Sequence, residues 1–267
     1  MIDFQFKNCY DVNDLIEIMR VLRAPGGCPW DAEQDHLSIK KNLIEETYEV
    51  IEAINKDDKS LMCEELGDLL MQIVFHALME EEKGVFDFNS VSDGVCKKLI
   101  ERHPHVFGEV SVSGVDDVLN NWDAIKRKTK GQKTTTDSML SVPRELPALM
   151  RAAKLQKKAA DVGFDWDDVS GALDKLEEEI AELRAAISNK DKENMNEELG
   201  DILFSAVNVS RFIKSDAEEA LTAASDKFLG RFIEVEKYAA ERGIDMKTAS
   251  LEELDALWDE AKKQSRI

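Results

Sequence analysis

The chain repeats itself, and this restricts its possible folds more than any other feature. LIEETYEVIEAI followed by EELGDLL in the first half returns as LEEEIAELRAAI followed by EELGDIL in the second. Glu45, Glu46, Glu49, Glu65 and Asp68 recur as Glu178, Glu179, Glu182, Glu198 and Asp201, each 133 positions on (178 − 45 = 201 − 68 = 133). Trp30-Asp31 recurs as Trp166-Asp167, Lys98 and Arg102 as Lys227 and Arg231, and Trp122 and Lys126 as Trp258 and Lys262. One unit has been duplicated, so any packing that covers the apolar face of the first copy must also serve the second.

The period of the apolar residues sets the element type. Leu43, Ile44, Thr47, Val50, Ile51 and Ile54, then Leu66, Leu69, Leu70, Ile73, Val74, Ala77 and Leu78, recur at spacings of three and four with no comparable alternation of period two. All five prolines (Pro25, Pro29, Pro104, Pro143 and Pro147) lie in the first 147 positions, and the proline-free remainder favours helix. Breaks at Asp57-Asp58, Gly84, Pro104, Gly131 and 189–191 predict about ten helices in an all-α chain. The stretch TKGQKTTTDSMLSVPRELP has the composition of a surface connection. It divides the chain into an N-terminal helical domain 1–130, a linker 131–146 and a C-terminal helical domain 147–267. Of the basic cluster Lys126, Arg127, Lys128, Lys130 and Lys133, read as a solvated helix end, only Lys126 is taken as a ligand contact.

With 55 acidic against 35 basic residues the net charge is −20, the wrong sign for neutralising nucleic-acid phosphates or an anionic membrane. An anionic ligand must then be held locally, by a metal or by a few placed cations. Cys9, Cys28, Cys63 and Cys96 form no CxxC pair and read as free thiols. The first twenty residues lack the order of a signal peptide, and the longest apolar stretch, 69–79, is broken by Gln72 and His76. The expectation is a soluble cytoplasmic protein with neither nucleic acid nor membrane as partner.

On a helix, Glu46 and Glu49 are three apart and Glu45 and Glu49 four apart, so their carboxylates share a face. Glu65 and Asp68 do the same on the next helix, and the 15 residues between Glu49 and Glu65 allow that helix to run back antiparallel. Acids gathered in this way call for a hard cation, since otherwise at least one pKa rises strongly. Donors that are all oxygen select magnesium, with manganese possible. The predicted ligands are Glu46, Glu49, Glu65 and Asp68, and in the second copy Glu179, Glu182, Glu198 and Asp201. Magnesium bound this way keeps positions for phosphate oxygens. Lys98 with Arg102, and Lys227 with Arg231, are then read as phosphate contacts. Trp122 with Lys126, and Trp258 with Lys262, are read as base-stacking and phosphate contacts.

EExxE followed by ExxD resembles the all-α nucleoside triphosphate pyrophosphohydrolases. With CPWD (28–31), ERHPHVFGE (101–109), PALMRAAKLQKKAADVGFDW (147–166) and EELGD, nearly the whole chain is similar to the two-domain MazG proteins. The resemblance implies magnesium-dependent hydrolysis of nucleoside triphosphates to the monophosphate and pyrophosphate, in the control or cleaning of nucleotide pools. It also implies a homodimer whose helical repeats complete four-helix bundles. The C-terminal copy is implied to be the active one, with Glu178 and Glu179 in the catalytic role and Asn194 standing where some relatives carry a basic residue.

Two other readings compete. A di-iron carboxylate bundle requires Glu-x-x-His pairs, and only Glu33 to His36 has that spacing. A non-catalytic nucleotide-binding helical regulator fits the same residues, and pyrophosphate release separates it from the hydrolase.

Overall fold

Each half is built around a helical hairpin whose turn follows the same 133-residue register as the acids. The computed structural model describes residues 4–264. In the first half α1 (Val12–Arg23) and the short α2 (Pro29–Glu33) precede the hairpin of α3 (Lys40–Asn55) and α4 (Lys59–Glu81). After it come α5 (Phe88–Arg102), α6 (Pro104–Phe107) and α7 (Val115–Thr129). The second half contains α8 (Thr135–Leu140), α9 (Ala148–Ala160), the hairpin of α10 (Val169–Asn189) and α11 (Lys192–Phe212), α12 (Ala217–Arg242) and α13 (Leu251–Gln264). Among the described residues there is no strand, and the all-α reading holds. The three helices beyond the expected ten or so are accounted for by α2, α6 and α8, each under two turns and too short to show a period.

The turns show how sequence makes the hairpins. Asp57 and Lys190 (190 − 57 = 133) both adopt left-handed backbone, with φ of 52° and 56°, which reverses the chain in the fewest residues. The next residue in each copy, Asp58 or Asp191, caps the following helix. Asp58 accepts from the amides of Ser60 and Leu61, and Asp191 from that of Asn194. The predicted breaks at Gly84 and Gly131 fall between helices, and Pro104 ends α5 by opening the short α6 as its first residue.

The chain divides into two compact units, 1–126 and 127–267. In the first, Ile16 and Met19 of α1 and Ile39 pack with Val74, Phe75, Leu78 and Met79 of α4. At the edge of this core Arg20 pairs with Glu81 at 2.9 Å and Arg23 with Glu82 at 2.6 Å. In the second, Val235, Tyr238 and Ala239 of α12 close on Leu257 and Ala261 of α13. The stretch 131–146, read as a linker, contains α8 with a Thr134–Asp137 capping box. Its Ser138 and Val142 are buried, and the Lys158 ammonium donates to the Ser138 hydroxyl, so the stretch packs on α9 of its own unit. Both hairpins leave apolar side chains uncovered: Ile44, Tyr48 and Ile51 along α3, and Ile180, Ile187, Leu199 and Leu203 on α10 and α11.

Candidate functional site

Glu49 lies six residues before the end of α3 and Glu65 six after the start of α4 (55 − 49 = 65 − 59 = 6), so the hairpin turn brings them level. Glu46 sits one helical turn back on the same face. The carboxylates of Glu46, Glu49 and Glu65 each offer an oxygen within 4.8 Å of the other two, and those of Glu179, Glu182 and Glu198 do the same in the second hairpin. Three of the four predicted ligands in each copy are thus brought together. Asp68 and Asp201, one turn further along, stand outside the triads but add to their negative field.

The two triads differ in electrostatics. Burial holds the Glu46 carboxyl above the usual carboxylate range, and Asp68, Glu49 and Glu65 add repulsion. Glu65 is raised in the same way, by burial and then by Glu49, Glu64 and Asp68. In the second copy burial, followed by Glu182, Glu179 and Asp201, lifts Glu198. Glu179 moves the other way, held low by the Lys175 ammonium at 2.8 Å despite being only 5% exposed. Lys175 also holds Glu178, likewise at 2.8 Å, so Glu178 lies outside the triad as an exposed carboxylate tied to its own helix. Sequence reading overlooked Lys175. The signal was present, since lysine three and four residues before a glutamate pair is the spacing of an intrahelical ion pair.

Three oxygens within 4.8 Å suit one octahedral ion of magnesium size, whose opposite ligands stand roughly 4.2 Å apart at metal–oxygen distances near 2.1 Å. Burial first, and repulsion from neighbouring acids second, raise Glu46, Glu65 and Glu198, the two costs that a bound cation would offset.

The predicted phosphate and base contacts fall into pairs. The Arg102 guanidinium lies over the Trp122 ring at 5.1 Å, and Arg231 lies over Trp258 at 5.9 Å. In both arginines Nε is buried without a hydrogen-bond partner. His103 meets the edge of Trp122, and Phe228 packs on Trp258. The helices α5 and α12 leave Lys98 and Lys227 exposed; Lys126 is half-buried, and Lys262 pairs with Asp259 at 2.7 Å.

A family model described as the MazG nucleotide pyrophosphohydrolase domain matches this chain twice, over residues 34–107 and 168–237. The chain belongs to the MazG family. The two MazG segments contain both acid triads with Asp68 and Asp201, Lys175, and the Lys98/Arg102 and Lys227/Arg231 pairs; Trp122, Lys126, Trp258 and Lys262 lie beyond them. An Escherichia coli protein named nucleoside triphosphate pyrophosphohydrolase is 44% identical over 256 residues, 95% of this chain and 97% of that protein. A Thermotoga maritima protein named nucleoside triphosphate pyrophosphohydrolase/pyrophosphatase MazG is 43% identical over 249 residues, 93% of this chain and 94% of its own length. The Bacillus subtilis protein YabN is 50% identical over 252 residues, which are 93% of this MazG chain but 51% of YabN.

Proposed function

We propose that this chain is a nucleoside triphosphate pyrophosphohydrolase that adds water across the α–β anhydride, giving the monophosphate and pyrophosphate. The observation that carries the reading is the pair of acid triads, each at the same level of a MazG-matched hairpin. The relatives' names support the substrate class.

Magnesium, or manganese in its place, would be held by Glu179, Glu182 and Glu198 with Asp201 beside them, and in the first copy by Glu46, Glu49 and Glu65 with Asp68. Bound there, the ion supplies positive charge against the triphosphate oxygens. The chain's own groups do the remaining work. Glu179 orients the attacking water and accepts its proton, while Glu178, through Lys175, fixes where Glu179 stands. Lys227 and Arg231, with Lys262, grip the phosphates, and Trp258 offers a face to the base; Lys98, Arg102, Trp122 and Lys126 are the matching set in the first copy.

The uncovered apolar stripes on α3, α10 and α11 support a homodimer in which a second copy covers them, which light scattering tests directly. Four free cysteines support a reducing, cytoplasmic setting, and the charge of −20 supports nucleotides over nucleic acid as partners. Among the described residues no helix is long and apolar enough to cross a membrane.

The deciding experiment measures pyrophosphate and monophosphate release from a panel of nucleoside triphosphates with magnesium, for wild type, Glu179→Gln and Glu46→Gln. Loss of release in Glu179→Gln with retention in Glu46→Gln is expected. Binding without release by wild type on every substrate would overturn the hydrolase reading in favour of a nucleotide-binding module.

A further inference from the structure

The two acid triads are not electrostatic copies. Lys175 reaches Glu178 and Glu179 at 2.8 Å each, and Glu179 is one of the three carboxylates of the second triad. The position 133 residues earlier is Asn42, whose amide carries no charge. Among the described residues no ion pair reaches Glu46, Glu49 or Glu65; the partners that act on Glu46 and Glu65 are all acidic. The first triad thus presents three carboxylates with no protein cation, and the second presents three with an ammonium already against one of them.

We infer that Lys175 is a resident counter-ion that sets the metal affinity of the second triad, so that in the absence of nucleotide the first triad binds a divalent cation more tightly than the second. A divalent ion entering between Glu179, Glu182 and Glu198 meets the Lys175 charge across a few ångströms of partly dehydrated protein, where like charges repel far more strongly than in bulk water. To complete its coordination the ion must take the Glu179 oxygen from the ammonium or share it. Neither cost exists in the first triad, where a cation only relieves the repulsion among the acids. The inference rests on the metal-binding part of the reading above and concerns affinity, so Lys175 here is a positioning residue.

The test titrates the full chain, stripped of metal and free of nucleotide, with manganese(II), reading the free ion by electron paramagnetic resonance. Two classes of site are expected, the tighter removed by Glu46→Gln and the weaker by Glu179→Gln. Lys175→Asn should tighten the weaker class by about tenfold, Lys175→Arg should leave it weak, and Asn42→Lys should weaken the tighter class by about the same factor. An unchanged weaker class in Lys175→Asn, or removal of the weaker class by Glu46→Gln, would overturn the inference. Pyrophosphate release on the same samples separates the two readings. Expected manganese classes without release sink the hydrolase and leave this inference standing, whereas normal release with an unchanged Lys175→Asn isotherm sinks this inference alone.

Discussion

Asp165 and Arg211 join the loop before α10 to the end of α11, with Nη1 of the arginine 2.7 Å from one carboxylate oxygen and its Nε and Nη2 on the Asn208 side-chain oxygen. Both side chains are 22% exposed, so the pair is shielded enough to count. Asp165→Asn should cost about 1 to 2 kcal/mol at pH 7, read as a lower urea midpoint. Arg211 holds the Asp165 carboxyl below its usual range. Its stabilisation is therefore complete above the unfolded value near pH 3.9 and is lost as pH falls through the lower folded value, so wild type and variant should converge in strong acid. His76 has the same sign by a different cause. Burial, and then the neighbouring His36, lower its pKa, so folding resists its protonation. The unfolded chain then binds more protons below pH ~6.5, and stability should fall from there downward. His76→Gln should flatten the slope of the urea midpoint between pH ~6.5 and 5, and an unchanged slope would remove His76 as its source.

Helix α10 carries two of the three carboxylates of the second triad, and its first turn is shaped by one close approach. A Cβ added at Gly171 would lie 2.3 Å from Cδ1 and 2.6 Å from Cγ of Trp166, the near end of a side chain that cannot yield without moving the whole indole. Alanine gains about 1 kcal/mol of helix propensity over glycine, but the clash should outweigh it. Gly171→Ala is expected to be net destabilising by about 1 kcal/mol and to shift tryptophan emission to the red as Trp166 swings outward. A more stable variant with unchanged emission would show that the contact is slack. The hairpins themselves were legible in advance, because breaks and caps are local signals: Asp58 and Asp191 mark both turns. The helix α8 was not legible, since Thr, Ser and Pro around it have loop composition and only the burial of Ser138 and Val142 draws it into the second unit.

On the proposed metal-binding reading, a cation that relieves the burial and repulsion acting on the triads should stabilise the whole chain. Magnesium at a hundred times its dissociation constant should stabilise a unit by roughly 2.7 kcal/mol, and a chelator should reverse the shift. Glu198→Gln makes this sharper. Without metal it removes one of the mutually repelling carboxylates and should melt higher than wild type; with magnesium it loses a ligand and should melt lower. Calorimetry with and without magnesium checks the crossing, and curves that keep their order in both buffers would argue against a shared ion.

Helical class, duplication and the grouping of acids were all readable from sequence, because period, register and residue type are properties of the chain itself. Glu46, Glu49 and Glu65 needed only the helical repeat and a short turn to be placed together, and so did Glu179, Glu182 and Glu198. Tertiary structure decided what lies beside them. Asp68 and Asp201 share a helix face with Glu65 and Glu198, yet a further turn of rise leaves them outside the triads. The pairing of Glu178 with Lys175, by contrast, is local to α10, and the three-residue spacing already carried it. The pairing of Arg102 with Trp122 and of Arg231 with Trp258 joins separate helices, and no period within a single helix encodes it.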